Sequence, residues 1–163
     1  MVKMSIPQTV EVSRSMKNAI RSLAALAIFF AVAPRPAVAG NMTDYQVIQT
    51  ISLQVAPKLN YAIPMDAMTI KDVGGTLGRC FVIAFDANRN DFLEIFYVSF
   101  LLGGLASQNV AEPIKHVIAR ITIQSGQPET KFWVSTAASA ELLLNKQIDV
   151  QQFIDGHLIK LDQ

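Results

Sequence analysis

Few residues in this chain have the type and spacing to do chemistry. The two histidines, His116 and His157, stand far apart, and neither has Cys or carboxylate neighbours at zinc-ligand spacing. Glu112 and His116 are four apart, but Pro113 between them breaks any shared helical face. Cys80 is the single cysteine, so an internal disulfide is excluded. Its neighbours Phe81, Val82 and Ile83 predict a buried thiol that behaves as a small hydrophobe. No H-E-x-x-H, C-x-x-C or G-x-S-x-G occurs, so no catalytic residue and no cofactor is assigned.

Asp86, Asn88 and Asn90 place side-chain oxygens at alternate positions, as a calcium loop does. The sixth position is Asp91 where that loop needs Gly, and the twelfth is Tyr97 where it needs Glu. Asn88 or Asn90 is expected instead to cap the next helix, with Asp91 and Glu94 complementing its dipole. Gly75-Thr76-Leu77-Gly78 has the spacing of a nucleic-acid clamp, but that clamp joins two helices. Here a strand follows, and a turn is sufficient.

A second candidate is a surface pair. Val117, Ala119, Ile121 and Ile123 alternate with His116, Ile118, Arg120, Thr122 and Gln124, and Phe132 and Val134 share one face of Lys131 to Thr136, with Ser125-Gly126-Gln127-Pro128 as the turn between. Matching the two apolar sides sets Ile121 opposite Phe132 and Ala119 opposite Val134. Arg120 then faces Trp133 on the other side, a candidate binding pair because exposed aromatic and Arg residues anchor partners. The competing reading leaves Trp133 under a helix.

These residues need elements to hold them. Asp91 to Ser107 carries one charge after Phe92, Glu94, and is apolar all round, so it predicts a helix enclosed by its surroundings. Ser99, Gly103 and Ser107 give it a smooth strip for close approach. The run is shorter than a membrane span, which favours a core helix. Cys80 to Phe85 predicts a buried strand, and Asp66 to Val73 reads as short helix or loop. An amphipathic helix runs from Asp44 to Ala56, opened by Thr43 with Gln46 and stopped by Pro57. Two short helices close the chain, one capped by Ser135 or Thr136, the other by Asp149 with Gln152, with Gly156 as its stop.

The N-terminus predicts export. Basic residues precede the apolar run Leu23 to Val32, and Ala37-Val38-Ala39 follows, as in a signal peptide cut between Ala39 and Gly40. Met16 would also serve as a start. Residues 1–39 hold five of the fourteen basic and one of the thirteen acidic residues, leaving 40–163 with nine against twelve. That weakly acidic remainder has no electrostatic footprint for nucleic acid.

The sequence therefore predicts a signal peptide, 1–39, and one small α+β domain, 40–163, periplasmic or secreted and with no membrane span after cleavage. Its expected core is a three-stranded mixed sheet of β-α-β-β order under the long helix, flanked by one N-terminal and two C-terminal helices. The expected function is non-catalytic binding of a protein partner, or of a second copy, as an accessory or assembly factor of an envelope system. The alternative is a small ligand-binding, metal-binding or hydrolytic domain with its site near Asp86 to Asp91.

Overall fold

Among the described residues, each α-helix but one starts where a side chain satisfies an open N–H group. The computed structural model describes residues 42–124 and 126–159, so the expected leader and its cleavage site at Ala39 and Gly40 lie outside the described residues. Helix α1, Asp44–Thr50, opens with a full capping box: Gln46 N–H donates to Thr43 Oγ1, and Thr43 N–H donates to Gln46 Oε1. Pro57 does not stop this element at Ala56. The chain passes through a π-helical turn, Ile51–Val55, and a 3₁₀ turn, Ala56–Leu59, ending at Asn60 in the left-handed region. Proline lacks an N–H and crowds the carbonyl four residues back, and the widened turn ahead of it avoids both conflicts. Val47, Ile51, Val55 and Leu59 are all buried along the way.

Strand β1, Met68–Asp72, lies where a short helix or loop was expected. Met68 and Ile70 are buried and Lys71 is exposed, an alternation too brief to stand out from the glycine-rich stretch after it. The segment from Val73 to Gly78 is the turn to β2, Arg79–Ala87, which runs antiparallel to β1 with Asp72 opposite Arg79. Gly74, Gly75 and Gly78 all have positive φ, so a side chain at these positions would be strained.

Helix α2, Phe92–Asn109, occupies the long apolar run. Its N-cap is Asp91 and not Asn88 or Asn90, and the Asp91 side chain makes no capping bond. The Asn88 carbonyl instead accepts from the Asp91 N–H, tightening the turn into the helix. Strand β3, His116–Ile123, follows parallel to β2, and β4, Glu129–Thr136, returns antiparallel. Helices α3, Ala137–Leu144, and α4, Val150–Gly156, start at Thr136 and at the Asp149–Gln152 capping box. Gly156 is the last helical residue of α4, and its φ is not positive. Strand β5, Leu158–Ile159, pairs with Ser135 and Val134.

The fold is thus α+β with a mixed sheet in the order β1-β2-β3-β4-β5. The expected β-α-β-β unit forms its middle as β2, α2, β3 and β4. Five strands replace the expected three because two short edge strands flank that unit.

Helix α2 is apolar all round because its own domain surrounds it. A Cβ on Gly103 would lie 2.3 Å from Val117 Cγ1 of β3, and one on Gly104 would lie 2.6 Å from the Ala140 carbonyl oxygen of α3. Ser107 donates to Glu141 of α3 at 2.6 Å, so the small-residue strip is divided between sheet and helix. Phe96, Phe100 and Phe153 pack in series between α2 and α4 as tilted rings, with centroids 5.0 and 4.9 Å apart. Among the described residues, no helix is long and apolar enough to cross a membrane.

The two faces of the sheet are covered differently. Phe81, Ile83, Val117, Ala119, Ile121 and Trp133 pack into the main core with the helices. On the opposite face a small cluster forms from Cys80, Ile118 and Val134, with Leu77, Val82 and Ile159 against it. No helical residue belongs to that cluster.

Candidate functional site

The hairpin register determines which side chains share the second face. β3 and β4 pair one residue away from the expected register: Ala119 is opposite Trp133, Ile118 opposite Val134, and Arg120 opposite Phe132. Trp133 therefore points to the helical side, 5.0 Å from Phe92 and edge-on to Phe96 at 6.0 Å between centroids. Arg120 points the other way, and the two residues expected as a pair lie on opposite faces. The physical reason is that both faces of this hairpin carry apolar residues, so alternation alone does not select the register. Val134 is fully buried on the face that lacks helices, whereas Phe132 is 54% exposed.

The second face has an apolar and a charged part. Val82 and Ala84 of β2, Ile118 and Arg120 of β3, and Phe132 of β4 lie side by side. Arg120 is exposed although it stands on the central strand, so this face is open to solvent there. Among the described residues, no carboxylate lies within ion-pair distance of its guanidinium. Beyond it, Thr122 and Thr130 share a hydroxyl–hydroxyl hydrogen bond of 3.0 Å. Such an arrangement suits recognition: a planar, always-charged donor fork beside an aromatic ring.

The Asp86–Asp91 stretch lies where β2 leaves the sheet and α2 begins. Asp86 is still within β2, opposite Thr122, and is exposed. Asn88 and Asn90 are exposed as well, and the Asn88 amide donates to Asp91 at 3.5 Å. Tyr61 adds what the sequence spacing could not show: its hydroxyl donates to Glu94 Oε1 at 2.7 Å, and its ring meets Phe85 edge-on. Burial foremost, then the Glu94 hydrogen bond and the charges of Glu94 and Asp91, push the Tyr61 phenol above its ordinary range. It is held as a neutral donor at neutral pH. Among the described residues, no three His, Cys, Asp or Glu side chains converge as a metal centre would require.

The remaining reactive side chains have local partners. Cys80 is fully buried, and burial first, then the Asp72 charge, raises its thiol above the ordinary value. His116 Nδ1 lies 2.7 Å from the Leu77 carbonyl oxygen, tying the glycine turn to β3. His157 Nδ1 lies 3.0 Å from Ser139 Oγ, and its ring stacks on Phe153. Thr136 Oγ1 both accepts from the Ser139 N–H and donates to Ser139 Oγ, so this chain of polar groups joins the start of α3 to the end of α4. Ser139 and His157 are 18 residues apart, and only the Thr136 capping signal hints that they meet.

No family model matches the chain, and comparisons with curated proteins and with solved structures found no match either.

Proposed function

We propose that this chain is an exported protein, periplasmic or secreted, that binds a protein partner without catalysis, as an accessory or assembly factor of an envelope system. The observation that carries the binding part is Phe132, more than half exposed, beside Arg120, which has no ion-pair partner among the described residues, on the sheet face where no described helix packs. An exposed ring beside an exposed cation is the kind of feature that partner contacts use. The export part rests on the leader's basic, apolar and Ala-Val-Ala segments. On the long helix Leu93 is exposed, while Gly103 and Gly104 press the helix against β3 and α3 at once.

Affinity capture from an envelope fraction tests this reading when wild type, Phe132→Ser and Trp133→Phe are compared. A partner retained by wild type and Trp133→Phe but lost by Phe132→Ser supports it. Equal retention by all three removes the open face from the account. The second reading places ligand chemistry at Asp86 to Asp91, and the Tyr61–Glu94 hydrogen bond beside α2 is what favours it. Calcium raising the melting temperature of wild type but not of Asp86→Ala would favour that reading over the first.

A further inference from the structure

We infer that the partner reaches the open sheet face with a carboxylate set next to an apolar side chain, on one short segment of protein. This rests on the protein-binding reading above and states the partner's chemistry. Arg120 is the centre of the argument. Its guanidinium stands on the middle strand with no carboxylate in ion-pair reach among the described residues, and it presents a donor fork that fits a carboxylate with two parallel hydrogen bonds.

Phe132 is its cross-strand neighbour, so an apolar group packing on that ring lies within one residue of the bound carboxylate. Val82 and Ile118 continue the apolar ground on the near side. Lys71 on β1 adds a second exposed cation, opposite Cys80. Among the described residues, Asp86 is the one acidic residue that shares this face, two residues along β2 from Ala84, the neighbour of Arg120. It repels a second acid at that end and so gives the segment a direction. The exposed aromatic area is one ring wide, which suits a short segment better than a broad sheet-to-sheet interface.

Selection from a phage-displayed library of random dodecapeptides on the purified protein tests this. Selected peptides are expected to carry Asp or Glu beside Leu, Ile, Phe or Trp. Synthetic copies should lose about tenfold or more in affinity with Phe132→Ser and with Arg120→Glu, and a smaller but measurable part with Arg120→Lys, which keeps the charge and loses the fork. Repeating the selection on Arg120→Glu should replace the acidic preference with Lys or Arg. Both substitutions are on the surface, and an unchanged circular dichroism melt verifies the fold. Peptides that bind Arg120→Glu as well as wild type, or that lack an acid, overturn the inference while leaving protein binding intact. No selected peptide at all also overturns it, whereas failure of the envelope capture tells against the binding reading itself.

Discussion

Two adjacent glycines set how closely α2 approaches its neighbours, and they face different partners. The clash awaiting a Cβ at Gly104 is with backbone, the Ala140 carbonyl, which cannot rotate away. Gly104→Ala is therefore expected to destabilise by about 1–3 kcal/mol despite alanine's better helix propensity of about 1 kcal/mol. Gly103→Ala meets the Val117 side chain instead, and pairing it with Val117→Ala should recover part of its loss. Urea denaturation measures all three, and a stabilised Gly104→Ala would refute the close approach. Tyr61 gives a second test at this scale. Its folded value is raised, so its contribution is whole below the unfolded value of about 10 and is lost as pH climbs through the folded one. Between pH 9 and 11, Tyr61→Phe should lose stability less steeply than wild type. Parallel slopes would mean that burial and the Glu94 hydrogen bond do not raise the phenol.

At the scale of elements, the hairpin separates a core aromatic from a surface one. Trp133→Ala removes a ring lodged against Phe92 and Phe96 and should cost about 3 kcal/mol, while Phe132→Ala should change stability by about 0.5 kcal/mol or less. Thermal melts of the two variants decide it, and the reverse order would restore the other register. Elements marked by local chemistry were legible in the sequence. The boxes at Thr43–Gln46 and Asp149–Gln152 open helices as read, and the buried strand with its long apolar helix forms the middle of the fold. What was not legible depended on long-range pairing. β1 and β5 are edge strands of five and two residues, and their partners decide their conformation. The slipped register followed from assigning Phe132 and Val134 to the side that faces the helices, when Val134 belongs to the second cluster. The Tyr61–Glu94 and Ser139–His157 contacts span 33 and 18 residues, beyond what spacing encodes. Of the candidate site, Arg120 was legible as a residue, and its aromatic neighbour was not.

In the whole molecule, the proposed export leader precedes a domain whose two sheet faces differ in kind. The fold is tied down close to the expected cut: Met42 N–H donates to Asn109, and Ala111 N–H donates to Met42. Cleavage before Gly40 leaves those bonds intact, so N-terminal sequencing of exported protein should begin at Gly40, and a retained Leu23–Val32 segment would contradict it. With the described helices gathered on one face, the other exposes both the Phe132 ring and the Arg120 guanidinium, where the proposed partner would bind. A photo-crosslinking amino acid placed in turn at positions 132, 45 and 53 of the protein in its own cells tests this claim most directly. Tyr45 and Leu53 are as exposed as Phe132 but lie on α1 and its π-helical extension. The account predicts a discrete adduct from position 132 that Arg120→Glu abolishes, with none from 45 or 53. Adducts from 45 or 53 with position 132 silent would contradict it.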